Sequence, residues 1–305
     1  MGLSLSPLPG QSEFGVVVTG FEIGMLDDPA IRQQIHDLWI DKGVVVFREF
    51  SGLESQLKLS ELFGHNQSHP MLRDADMPEE MKISVNIDEG VGGTYMVDGE
   101  ERSGWLAWHK DSMYTDEINH GGVLWSIDVP ERGGETGFID QIAAWEALPD
   151  DLKARCEGLN LLYVYSLDSI ESKFGNRPES RVGFSKYMST TAPFAKLARV
   201  VHPMVFTQPE TGRKVLNVCP WFAAGIEGME NEEGDALLRE VIAHLLAPGR
   251  EYYHRWVPGE MVLWDNWRML HCASGTPTGM KRLMRRTTIF GDYALGRKEK
   301  VAEPA

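Results

Sequence analysis

Short apolar, β-branched runs recur along this chain between breaks rich in glycine and proline, and that pattern limits its fold more than any other feature. Val44 to Phe47 reads V-V-V-F, and Met261 to Trp264 reads M-V-L-W. Runs of about four to eight such residues, bounded by turn formers, are strand signals. Phe14 to Ile23, Lys82 to Ile87, Gly122 to Asp128, Leu159 to Tyr165, Val200 to Thr207, Val215 to Val218, Glu251 to Val257 and Arg285 to Gly291 give further candidates. Helical patterns are fewer. Asp28-Pro29 supplies a cap and a first-turn proline for a helix reaching Lys42, with Ile31, Ile35, Leu38 and Trp39 on one face. Leu53 to Phe63, Ala143 to Leu148 and Asn231 to Leu246 follow the same period. With 31 Gly and 16 Pro marking the turns, a mainly β chain with peripheral helices is predicted, a sandwich or jelly roll and not a parallel α/β sheet. Residues 1–305 are expected to form one domain.

Several function classes are set aside by composition. The net charge of −15, with no compact Lys/Arg block, opposes nucleic-acid binding. No apolar run approaches the length of a membrane helix, and Met1 to Gln11 lacks a secretory leader pattern, so a cytoplasmic protein is expected. Three cysteines (Cys156, Cys219, Cys272) form neither a disulfide framework nor a zinc-site spacing.

Chemistry concentrates in two stretches far apart in sequence. Trp105 to Ser112 reads W-L-A-W-H-K-D-S and carries His109 and Asp111; Trp264 to His271 reads W-D-N-W-R-M-L-H. In extended backbone, residues two apart face the same way, so His109 and Asp111 can grip one ion. His271, soon after an apolar strand, can complete a 2-His-1-carboxylate set, which holds Fe(II) and leaves positions open. The competing reading for any histidine is a surface or core residue. For Lys281, Arg282, Arg285 and Arg286 it is a solvated basic patch. Alternation puts Arg282, Met284, Arg286 and Thr288 on one strand face, so two guanidiniums can enter a common site. Asp88 to Gly104, rich in Gly and acidic residues, is predicted to be a long loop acting as a lid over it.

Taken together, W-H-x-D-S, G-G-x-T-G-F around Thr136, W-D-N-x(4)-H and a strand ending R-T-T-I resemble the taurine dioxygenase/phenoxyacetate-herbicide dioxygenase (TauD/TfdA) family. The resemblance extends to V-H-P-M-V at Val201 and I-E-G-M at Ile226, and so spans most of the chain. It implies a double-stranded β-helix (a cupin-like jelly roll) and a dioxygenase that uses Fe(II), 2-oxoglutarate and O2. Such an enzyme hydroxylates a C–H bond of a small molecule and releases succinate and CO2. It also implies His109, Asp111 and His271 as metal ligands and catalytic centre. Thr136 and Arg282, the latter eleven residues after His271, would bind the far carboxylate of 2-oxoglutarate. Arg286, fifteen after His271, would meet an anionic group of the prime substrate. A homo-oligomer is expected.

This chain departs from the family pattern in places. Lys110 stands between the ligands where a small polar residue is usual; it should point away from the metal with little effect. The family's substrate-binding histidine has no firm counterpart, since His69 is near but Arg73 and Asp74 occupy the closer register. Tyr95, Trp108 and Tyr114 are candidate substrate contacts, with Trp105, Met96 and Met113 beside them, although such residues are more often core. An anionic substrate with an aromatic body, an aryloxyalkanoate, is the first expectation, and a sulfonate or alkyl sulfate the second. Asp111 argues against a halogenase. A metal-dependent hydrolase would leave Arg282 and Thr136 without a role, and a non-catalytic barrel would leave the whole set without one.

Overall fold

A computed structural model describes residues 3–11, 13–67, 93–184 and 197–300, together with the backbone of 84–88. His69, Arg73 and Asp74 lie outside the described residues.

Two facing sheets form a double-stranded β-helix. The larger sheet runs in the order Ser4–Ser6, Val16–Thr19, Val44–Phe47, Met261–Asp265, Gly121–Asp128, Leu283–Ile289 and Asn66–Gln67, with Ser84–Asp88 also pairing with Leu283–Ile289. The smaller sheet runs Tyr252–His254, Thr136–Asp140, Met269–Ala273 and Leu106–His109. Within the two sheets the pairing is antiparallel except between Val16–Thr19 and Val44–Phe47, which run parallel.

The valine-rich runs explain the layering. Val44 and Val46 point into the space between the sheets, with Val17, Val262, Trp264, Phe138 and Met269. Val45 and Phe47 point the other way, onto Ile31, Ile35 and Trp39 of the helix Pro29–Lys42 and onto Leu59 of the helix Leu53–Ser60. A strand covered on both faces has no polar side to show, so it reads as a continuous apolar run. Each fully buried Val or Phe of this kind contributes about 1.5–3 kcal/mol.

The first helix starts and stops where its residues dictate. Asp28 Oδ1 accepts from Ala30 N at 2.9 Å, Pro29 opens the first turn, and Gly43 ends it at φ 73°. A third apolar cluster packs Leu237, Leu238, Val241 and Leu245 of the helix Glu232–Leu245 beneath Ile226, Leu161 and Tyr163. Among the described residues, no helix is long and apolar enough to cross a membrane.

One sequence expectation needs correction. The part of the predicted 88–104 loop from Gly93 to Ser103 is a hairpin, Gly93–Val97 and Glu100–Ser103, flanked by Ser180–Phe184 and Thr276–Pro277. Asp98 (φ 51°) and Gly99 (φ 72°) form its turn, and an Asp-Gly pair is a strong hairpin signal. The polar, glycine-rich composition masked it. Helix Asp150–Cys156, also unpredicted, follows Pro149 with two aspartates in its first turn.

Candidate active site

The site forms where the smaller sheet meets the ends of the larger one. His109 is the last residue of Leu106–His109, and His271 sits directly opposite it on the neighbouring strand. Their rings lie 4.4 Å apart between centroids. Register slips between His271 and Ala273, so the four residues Leu106 to His109 stand opposite the three from His271 to Ala273, a β-bulge. Within that bulge, His109 Nδ1 lies 2.7 Å from Ala107 O. A carbonyl can only accept, so Nδ1 carries the hydrogen and Nε2 keeps a bare lone pair facing the site.

Asp111 reaches the histidines by another route than strand alternation. The strand ends at His109, and Asp111 begins a turn in which Ser112 takes φ 58°, a conformation few side chains adopt. Asn266, from the W-D-N segment, brackets it. Asn266 Oδ1 accepts from Asp111 N at 2.9 Å and Asn266 Nδ2 donates to Asp111 O at 3.1 Å. The carboxylate then lies 3.8 Å from His109 Nε2 and 3.4 Å from His271 Nε2. One ligand atom from each of the three falls within 4.8 Å of the others.

The electrostatics keep His109 and Asp111 in ligand form. Burial, reinforced by His271, pushes His109 down to about 3, so its imidazole is neutral. Burial alone would raise Asp111, but Arg286 and the two histidines hold it well below the usual carboxylate range. Arg286 donates from both terminal nitrogens to Asp111, at 3.3 and 2.7 Å, and its guanidinium lies 5.4 Å from the Trp264 ring centroid. Strand parity holds here: Arg286 points inward, while Thr287 Oγ1 meets Ser60 on the helix outside.

Arg282 lies against the turn that leads into Thr136. Arg282 Nε donates to Gly134 O at 3.1 Å, two residues before Thr136. Gly134 has φ 74°, and a Cβ there would lie 3.0 Å from both Arg282 Cδ and Pro130 Cγ, so the double glycine lets the arginine approach. Burial pushes Arg282 down to about 10, against the pull of Glu135.

The family model for the taurine catabolism dioxygenase TauD, TfdA family matches residues 4–288. The chain belongs to this family. It is 33% identical over 294 residues to an (S)-phenoxypropionate/alpha-ketoglutarate-dioxygenase of Sphingobium herbicidovorans, covering 94% of this chain and 95% of that one. An alkylsulfatase of Acinetobacter baylyi is 26% identical, with 96% and 87% covered. In fold, the chain is similar to a taurine dioxygenase from Burkholderia xenovorans (TM-score 0.73, 23% identity, 98% and 95% covered). It is also similar to AAD-2 in complex with Mn(II) and N-oxalylglycine (TM-score 0.69, 23% identity, 96% and 98% covered). This TauD/TfdA member is therefore an α-ketoglutarate (2-oxoglutarate)-dependent dioxygenase, an oxidoreductase acting on a small molecule with a metal ion. Its donor set fits such an ion, since two imidazoles and one carboxylate converge, and His109, neutral and with its hydrogen on Nδ1, turns a bare Nε2 lone pair to the site.

Other sequence candidates fall in different places. Tyr114 is at the site's edge, its ring 5.0 Å from Phe222, which in turn lies 6.2 Å from His109. Trp108 points to the opposite face of its strand, packing on Gly137, Cys272 and Tyr253, because alternation that turns His109 inward turns its neighbour outward. Tyr95 is buried beside Trp105 and donates its hydroxyl to Asp168 at 3.0 Å, so it serves the hairpin's attachment. Lys110 does point away from the triad, yet it is fully buried, and Nζ donates to Asn217 Oδ1 at 2.8 Å and Trp267 O at 2.6 Å. Its contacts are thus structural ones. Sequence reading missed Trp221 and Phe222, stacked 4.7 Å apart beside His109, and Asn266; the C-P-W-F turn after an apolar strand was the available signal.

Proposed function

We propose that this dioxygenase holds Fe(II) on His109, Asp111 and His271. It binds the far carboxylate of 2-oxoglutarate on Arg282 and Thr136, and hydroxylates a C–H bond of a small anionic substrate, first of all an aryloxyalkanoate, with succinate and CO2 as co-products. Iron, when bound, supplies the activation of O2 that this donor set suits. The protein's part is to position. The observation that carries the substrate class is Arg286, inside the site with its Nε buried and without a hydrogen-bond partner among the described residues. Its two terminal nitrogens are directed at Asp111, so its positive charge lies within the site beside the metal set, where a substrate anion would be attracted. The aromatic body would rest on Tyr114, Tyr165, Phe222 and Trp221, whose rings adjoin one another next to His109. The phenoxypropionate activity of the Sphingobium relative supports this choice. A second reading, an alkyl sulfate or sulfonate, is favoured by the Acinetobacter alkylsulfatase. The 93–103 hairpin would cover the site as a lid. A cytoplasmic homo-oligomer is the setting we assign, since a reducing compartment keeps both thiols and Fe(II) in the required state.

Succinate release from Fe(II)-loaded protein, measured across both 2-phenoxypropionate enantiomers, 2,4-dichlorophenoxyacetate and a series of alkyl sulfates, tests the substrate. Higher kcat/KM for an aryloxy acid is expected; higher values for the sulfates would select the second reading. Asp111→Ala should abolish turnover while leaving the protein folded. Arg282→Ala should raise the KM for 2-oxoglutarate by about tenfold or more, in line with loss of a charge-assisted hydrogen bond. An unchanged KM would remove Arg282 from its assigned role.

A further inference from the structure

Thr136 Oγ1 accepts a hydrogen bond from Trp256 Nε1 at 3.0 Å. A hydroxyl has one hydrogen to give and can accept at its lone pairs. With the indole N–H on one of those lone pairs, the hydroxyl's hydrogen is directed elsewhere, and among the described residues no acceptor receives it. Accepting one bond also strengthens the bond that the same hydroxyl donates.

Trp256 is not free to leave this position. Its ring stands perpendicular to that of His254, at 4.7 Å. The next residue is fixed twice: Val257 N donates to Glu260 Oε1 at 2.8 Å, and Val257 O accepts from Ser126 Oγ at 2.5 Å. Glu260 is itself held by Arg48 and lies 2.8 Å from His254 Nε2, with both His254 and Glu260 buried. His254 pairs with Thr136 across the sheet, so the same strand pairing sets both ends of the indole–hydroxyl bond.

We propose that Trp256 is a positioning residue for the co-substrate, its indole N–H fixing the Thr136 hydroxyl as a donor to the far carboxylate of 2-oxoglutarate. This rests on the assignment of Thr136 and Arg282 to that carboxylate. Without the indole, the hydroxyl is free to turn and present lone pairs to an anion, which would weaken the contact instead of making it.

The test is anaerobic optical titration of the Fe(II)-loaded protein with 2-oxoglutarate and, in parallel, with 2-oxopentanoate, which keeps the oxo acid but ends in a methyl group. Trp256→Phe should weaken 2-oxoglutarate binding by about three- to tenfold. It should leave 2-oxopentanoate unchanged and add nothing in a Thr136→Val background. Equal weakening of both acids would overturn the proposal, because a general structural role moves both. So would weakening by Thr136→Val with none by Trp256→Phe, in which case the Thr136 assignment stands alone. No effect of Thr136→Val would instead remove the underlying assignment, and the proposal with it. A measurement on the unmodified chain guards against a variant that does not fold. In Zn(II)-loaded protein the Trp256 indole 15N–1H resonance should shift with 2-oxoglutarate and stay in place with 2-oxopentanoate; identical responses would overturn the proposal.

Discussion

Cys156, Cys219 and Cys272 are free thiols and all three are buried. Burial pushes Cys156 up to about 11 and Cys219 and Cys272 up to about 12. The thiolate is the reactive form, so at pH 8 these side chains stay protonated as well as covered. A thiol reagent applied to the native protein at pH 8 should label none of the three within minutes and all three once urea unfolds the chain; labelling of the native state would contradict the burial described. Residue identity alone did not reveal this. The odd cysteine count suggested no disulfide framework, but only packing shows that Cys219 Sγ accepts from Lys110 N at 3.3 Å, directly behind the metal site. Strand parity was more informative. It put Arg286 and Thr287 on opposite faces, as they are in the structure, because side-chain alternation is a property of the strand itself.

At the scale of elements, the helix Pro29–Lys42 was legible from cap to stop, since local chemistry fixes both its ends. The 93–103 hairpin was not, although Asp98-Gly99 marked its turn, because acidic and glycine-rich composition suggested a loop. Strand Thr136–Asp140 shows the closer tolerance of the site's own sheet. A Cβ on Gly137 would lie 2.6 Å from Cys272 Sγ and 2.7 Å from a Trp108 ring carbon. Gly137→Ala must therefore push apart the strands that carry Thr136, His109 and His271. A loss of about 1–3 kcal/mol in urea unfolding is expected from such overpacking, with weaker Fe(II) binding in the same variant. An unchanged denaturation midpoint would show that the outer face has room the structure does not give it.

Across the whole molecule, Arg268 ties the layers together. It lies within W-D-N-W-R-M-L-H and is almost fully buried. It grips Asp140 through Nε (2.8 Å) and one terminal nitrogen (2.7 Å), and its other terminal nitrogen donates to Ile40 O (2.9 Å) and Asp41 O (2.8 Å) at the end of the first helix. Asp140 Oδ1 also caps the helix Gln141–Glu146 by accepting from Ile142 N. Arg268→Ala would strand a buried carboxylate and two carbonyls, a change that costs about 3–5 kcal/mol in comparable cases. Urea unfolding should record that loss, and a change under 1 kcal/mol would refute the tie. The sequence by itself determined the strand-rich architecture, the first helix and the residue types of the metal set, because periodicity, capping and ligand chemistry are local properties. Only the tertiary structure decided that Asn266 turns Asp111 onto the histidines, that Trp108 faces away while Phe222 and Trp221 approach, and that Trp256 meets Thr136. Those contacts join strands up to about 155 residues apart, as Asn266 and Asp111 are. No local rule specifies them, because they depend on how the two sheets stack and where a bulge shifts their register.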